Sequence, residues 1–175
     1  MLESGSDRIG ALDFQRSSSE YIPRSSTDAQ LDELLESASR VEQSVPLTPE
    51  LDQDLFHGSS IGGARQKAVI ENQERKYVAK LPLSSDLYNV SEAGFIAIRL
   101  AAKAGINVAP VKLIQVKKKD ILLIERFGRV RAVNGWERKA LVSALTLFGL
   151  DEMMAHYASY ETFAEIIRHR VDDLK

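Results

Sequence analysis

Between His57 and Lys67 the chain reads His-Gly-Ser-Ser-Ile-Gly-Gly-Ala-Arg-Gln-Lys. Thirteen residues further on, Lys80 stands in the middle of the apolar run Tyr77-Val78-Ala79-Lys80-Leu81. A glycine-rich turn can expose several backbone N–H groups, and a lysine on the next strand adds an ammonium. Together these suit the phosphates of a nucleotide. The candidate cofactor-binding set is therefore Ser60, Ile61, Gly62, Gly63, Ala64, Lys67 and Lys80. Two blander readings stand beside it. Gly62-Gly63 is also what a tight hairpin uses, and an edge lysine can run its stem along apolar surface to reach water.

Phosphoryl transfer from a nucleotide needs such a lysine on the α- and β-phosphates and a carboxylate from the following helix to orient it. Glu92, twelve residues after Lys80, is the candidate. Asn89-Val90-Ser91-Glu92 also fits a capping box, in which the glutamate would bond back to its own helix start. One carboxylate in one conformation cannot do both, and the order of glycine-rich turn, lysine and glutamate favours the ion pair. Glu125-Arg126-Phe127-Gly128-Arg129 ends a strand. Glu125 and Phe127 would there offer backbone groups to an adenine edge, where the alternative is a plain strand end with a glycine turn.

The elements that must position these groups follow from periodicity. Leu31, Leu34, Leu35, Ala38 and Val41 recur at helical spacing after a cap at Ser26 or Thr27, and Pro46 and Pro49 end the pattern. Residues 67–71 and 76–81 predict a hairpin, as do 111–116 and 121–125 around Lys117-Lys118-Lys119-Asp120. Ala93, Ile96, Ala97, Leu100, Ala101 and Ala104 form a helical stripe closed by Gly105. Arg8 to Phe14 alternates enough to predict a short strand. Beyond Asn134-Gly135 the pattern turns helical, with Leu141, Ala144, Leu145 and Phe148 on one face, Gly149 as a stop, and Phe163, Ile166 and Ile167 in a last helix. Strands preceding helices make the fold class α+β.

Composition narrows the function classes. The 175 residues are 44% hydrophobic, enough for one moderate core. With 23 basic against 25 acidic residues, charge gives no reason to expect nucleic acid as a partner. The absence of cysteine excludes disulfides and thiolate metal sites and is compatible with a reducing cytoplasm, the expected location. No run approaches the ~20 apolar residues of a membrane span. His57, His156 and His169 share no metal-ligand spacing with carboxylates.

The chain resembles the HipA family, bacterial Ser/Thr protein kinases that act as toxins of toxin–antitoxin systems. The matching pieces are Asp7-Arg8-Ile9-Gly10-Ala11-Leu12, Gly58 to Lys67, Val78-Ala79-Lys80-Leu81-Pro82, Glu125-Arg126-Phe127, and Ala144 to Tyr160. The resemblance implies a kinase-like N-lobe, a small antiparallel sheet with a helix, plus the first helices of a C-lobe, truncated at both ends. Its boundaries would be an N-terminal segment with an amphipathic helix over 1–50, the N-lobe over 51–128 and the C-lobe helices over 129–175. Ser60 would be the loop serine that becomes autophosphorylated, Lys80 would bind ATP phosphates, and Glu125 and Phe127 would form the hinge.

The family pattern has proline where Gln66 stands and aspartate where Gly128 stands, so a hinge contact to ribose would be lost. The catalytic loop needs an aspartate five residues before an asparagine. The residues five before Asn72, Asn89, Asn107 and Asn134 are Lys67, Ser84, Ala102 and Arg129. No catalytic residue is therefore assigned. Magnesium is expected only with a complete kinase, ATP binding is expected to be weak, and the chain alone is expected to be inactive. The alternatives are a module that binds an antitoxin, or one half of a split kinase joined by a complementary chain.

Overall fold

The computed structural model describes residues 5–24, 31–46, 65–133 and 135–170. Ser60, Ile61, Gly62, Gly63 and Ala64 lie outside the described residues. The chain forms two compact units, residues 1–139 and 140–175. The first is built on a four-stranded antiparallel sheet: β1 (Lys67–Glu71), β2 (Lys76–Lys80), β3 (Val111–Val116) and β4 (Lys119–Glu125), in the order β1-β2-β4-β3. With helices beside it, the architecture is α+β, as the sequence pattern predicts.

Both predicted hairpins form, through different turn chemistry. In the β1–β2 turn the Asn72 side chain accepts from the N–H groups of Glu74 (3.0 Å) and Arg75 (2.7 Å), so asparagine supplies the turn's own acceptor. The β3–β4 turn places Lys117 and Lys118 at φ 47° and 63°. Both are in the left-handed region that twist-matched two-residue hairpins demand and that lysine enters at a cost.

Alternation along β4 sends its side chains to opposite faces. Ile121 and Leu123 join Ala68, Tyr77, Ala79 and Leu81 in a core with Leu34, Leu35 and Ala38 of helix α1 (Leu31–Glu42). Leu122 points the other way, toward helix α2 (Val90–Lys103), where a Cβ built on Gly94 would lie 3.0 Å from the Leu122 Cδ2. Glycine at 94 thus lets α2 lie close on the sheet. The residues turned inward are Ser91, Gly94, Phe95, Ile98 and Ala101, whereas the most regular apolar stripe read from the sequence faces largely outward. Ile96 is 49% exposed and Leu100 60%.

Two expectations are corrected. Arg8 to Phe14 is not a strand. Gly10, at φ 76°, breaks the extended run, and arginine side chains rather than a neighbouring strand take the segment's carbonyls. The segment after Asn134 does not begin as helix. Strands β5 (Arg129–Ala132) and β6 (Gly135–Arg138) pair as a second hairpin, with Gly135 at φ 122° where only glycine is comfortable.

In the second unit, α3 (Ala144–Phe148) is capped by the Ser143 hydroxyl and closed by Gly149 at φ 70°. A 3-10 turn spans Glu152–Tyr157, and α4 covers Tyr160–Arg170. The Phe148 and Phe163 rings meet at 5.9 Å, joining α3 to α4. Among the described residues no helix is long and apolar enough to cross a membrane.

Relieving the left-handed lysine tests this account of the β3–β4 turn. Lys118→Gly removes a steric cost of about 1–2 kcal/mol and restores about 0.5–1 kcal/mol of chain entropy to the unfolded state. The expected result is a gain of about 0.5 kcal/mol and a Tm higher by about 1–2 °C in a calorimetric melt. A fall in Tm would contradict it.

Candidate functional site

Strand pairing places the two lysines singled out by the sequence against each other. Lys67 of β1 and Lys80 of β2 are direct cross-strand partners, and Lys80 is paired in turn with Leu122 of β4. Because Tyr77 and Ala79 point into the α1 core, Lys80 lies on the α2 face of the sheet, and direct partners share a face. Lys67 is almost fully buried and donates from Nζ to the Arg65 carbonyl at 2.7 Å. Burial, and then the positive charge of Lys80, lower its proton affinity below that of an ordinary lysine. Among the described residues the Lys80 ammonium has no hydrogen-bond or ion-pair partner.

Glu92 does not meet Lys80. It sits in the exposed first turn of α2, where its N–H donates to the Asn89 side chain at 3.0 Å. The backbone half of the capping pattern therefore forms, and the side-chain ion pair to Lys80 does not. The α2 position that abuts Leu122, the neighbour of Lys80, is 94, and glycine occupies it.

Arg65, just after the glycine-rich segment, forks onto Asp86. Its Nη1 donates to Oδ2 at 2.8 Å and its Nη2 pairs with Oδ1, while the Leu83 N–H adds a third bond at 3.0 Å. The arginine is the chief cause that holds the Asp86 carboxyl down at about 2. This clamp ties the entry to β1 to the turn leading into α2.

The strand end carries a network that sequence reasoning missed. Glu125 pairs with Arg75 at the surface. Next to it, Arg126 and Arg129 are buried around Asp7, whose Oδ2 lies 2.8 Å from Lys76 Nζ and 2.9 Å from Arg126 Nη1, and whose Oδ1 lies 2.7 Å from Arg129 Nε. Arg126 also donates to the carbonyls of Asp7 (3.3 Å) and Arg8 (3.2 Å). Arg129 donates to those of Gly10 (3.0 Å), Gly128 (2.8 Å) and Arg8. The available signal was the pair of arginines bracketing Phe127-Gly128 at a spacing that one β-turn brings to the same side. Its partner, 119 residues earlier, has no local signature.

Between the arginines, residues 126–129 form a turn closed by the Arg129 N–H on the Arg126 carbonyl at 3.2 Å. The Glu125 N–H is spent on the Pro110 carbonyl (2.9 Å), and the Arg126 N–H on that of Lys76 (2.8 Å). The Gly128 carbonyl accepts from Arg129 and from the Lys139 N–H. Among the described residues Phe127 keeps both its N–H and its carbonyl unbonded, and its side chain is 67% exposed. Of the two proposed hinge residues, the geometry thus leaves Phe127 open and occupies the N–H of Glu125.

The description of one family model fits this chain: HipA-like C-terminal domain, matching residues 59–175. The chain belongs to the HipA-like family. The match takes in the glycine-rich segment, both lysines, the Phe127 turn and the helices after it. Asp7 and α1 precede it. No curated protein sequence matches the chain.

Asp7 gives this network a pH signature. Burial alone would raise its pKa, but the Lys76 hydrogen bond, the charges of Arg126 and Lys76 and the Arg129 hydrogen bond outweigh it and hold it below the ordinary carboxylate value. A carboxyl depressed on folding stabilises the fold above its unfolded value, and this contribution is lost as pH falls through the folded one. Asp7→Asn is expected to cost on the order of 3 kcal/mol at pH 7, because buried cations lose their counter-charge. The variant's stability should fall less steeply than the wild type's below pH 4. Parallel curves in urea melts from pH 7 to 2.5 would contradict the assignment.

Proposed function

We propose that this HipA-like chain carries the nucleotide-holding lobe of a Ser/Thr protein kinase, and that by itself it binds ATP without transferring phosphate. The observation that carries the reading is the Lys67–Lys80 pair. Two lysines are direct partners on the α2 side of the sheet, close enough for the charge of Lys80 to lower the pKa of the buried Lys67, and no carboxylate among the described residues pairs with Lys80. Adjacent cations in a partly dry setting repel unless an anion joins them, and a polyphosphate is such an anion.

The groups present fit ATP at both ends. Lys67 and Lys80, with the glycine-rich segment Ser60 to Ala64, would hold the phosphates, while Phe127, with its two unbonded backbone groups, would read the base. When bound, ATP supplies the γ-phosphoryl group for a protein serine. Among the described residues no cluster of side chains is arranged to hold a metal ion. Magnesium belongs, in this reading, to the assembled kinase.

A second reading, a module that docks an antitoxin or a complementary kinase chain, draws on the outward stripe of α2. Ile96 and Leu100 there leave apolar surface in water on an otherwise regular helix.

Calorimetric titration of the full chain with ATP should show weak binding that Lys80→Ala lowers by about tenfold or more, the loss of a charge-assisted contact. Glu92→Ala should change it by less than about twofold, since Glu92 does not touch Lys80. Radiolabelled ATP with magnesium should leave no label on Ser60. Undiminished affinity in Lys80→Ala would end the nucleotide reading, and label that disappears in Ser60→Ala would end the claim of inactivity.

A further inference from the structure

Among the described residues the segment 5–10 reaches the proposed base-reading turn through two arginines, and those arginines bracket the residue whose backbone is left open. Arg126 and Arg129 are 7% and 1% exposed at their side chains, and every direction in which their guanidinium groups donate is set by Asp7, Arg8 or Gly10, with Gly128 as the one acceptor from the turn itself. Arg129 Nη1 bonds the Gly10 and Gly128 carbonyls together, so the N-terminal segment and the turn share one donor group. The Asp7 carboxylate fixes both arginines and Lys76, whose own carbonyl accepts the Arg126 N–H. The turn is thus held from its two flanks, and its exposed corner is Phe127.

We propose that Asp7 is a positioning residue for base selectivity: through Arg126 and Arg129 it fixes the Phe127-Gly128 turn so that the free N–H and carbonyl of Phe127 are presented at the spacing an adenine edge requires. The inference rests on the reading of this turn as the base-recognising connection, and adds that a segment outside the matched family region sets its selectivity. A hydrogen-bonding edge discriminates only when its donor and acceptor are held rigidly, because a mobile pair adjusts to the wrong partner. The two lysines of the proposed phosphate site lie at the other end of the β1–β2 pair from Lys76, and among the described residues no hydrogen bond joins them to the Asp7 cluster. Phosphate affinity and base selectivity should therefore separate.

The test is calorimetric titration of the full chain, below 15 °C, with ATP, GTP and inorganic tripolyphosphate. The wild type is expected to prefer ATP over GTP by about tenfold, the worth of one to two net hydrogen bonds. Asp7→Asn should abolish that preference and leave tripolyphosphate affinity within about twofold. Arg129→Lys keeps the positive charge but gives up the planar fork that spans Asp7, Arg8, Gly10 and Gly128 at once, so it should do the same with a smaller effect on folding and guards against instability of Asp7→Asn. Asp7→Glu should recover part of the preference. Loss of ATP and tripolyphosphate affinity in proportion, or an unchanged preference in both variants, would overturn the proposal and leave nucleotide binding intact. A wild type that binds tripolyphosphate but does not prefer ATP would also overturn it. A wild type that binds none of the three would overturn the nucleotide reading together with this inference.

Discussion

A single carboxylate, Asp7, is bonded to three cations that sit where the main sheet gives way to the second hairpin, and it shares one of them, Lys76, with Glu71. Arg126 and Arg129 repel each other there, and burial pushes Arg126 below its ordinary pKa. Without Asp7 neither guanidinium has an acidic partner among the described residues, and buried cations left unpaired are among the costlier faults a fold can carry. With it, the irregular stretch before α1 becomes part of the sheet's framework although it contributes no strand. The turn after β4, the start of β5 and the Lys76 end of β2 all depend on that one group for their alignment.

How much of this could be read from the chain varies with the range of the interaction that decides it. The hairpins at 67–80 and 111–125 and the helix over 93–104 follow from local alternation, turn residues and helical spacing, and all were legible. The rotation of α2 was not. Its most regular apolar positions, Ala93, Ile96, Ala97 and Leu100, point outward because contact with the sheet is made where the helix can approach most closely, at Gly94 against Leu122. A stripe of hydrophobicity reports amphipathicity, but close approach is decided by the smallest residue, which hydropathy overlooks. The strand expected over 8–14 failed for a related reason. Alternation says nothing of whether a partner strand is free to receive it, and here arginine side chains took the carbonyls first.

The candidate site shows the same division. Lys67 and Lys80 were legible as chemistry, and their direct pairing follows once the β1–β2 register is known. The family match over 59–175 covers both. The orientation of Glu92 was not legible, since two residues along a helix turn a side chain through more than half a circle. The Asp7 network was beyond local reading altogether, because its members are separated by more than a hundred residues and only the folded chain brings them together.

The chain's single tryptophan occupies an unusual electrical setting. The Trp136 ring lies 5.4 Å from Lys76 Nζ and 5.3 Å from the Arg131 guanidinium, and that same Lys76 is bonded to Asp7. A cation held over an indole face perturbs the ring's energy levels as well as its packing. Any event that loosens Asp7 from Lys76 therefore changes the field on the only indole present. The molecule carries an intrinsic optical reporter wired to its central ion cluster, readable as the colour and brightness of its own ultraviolet emission without an added dye.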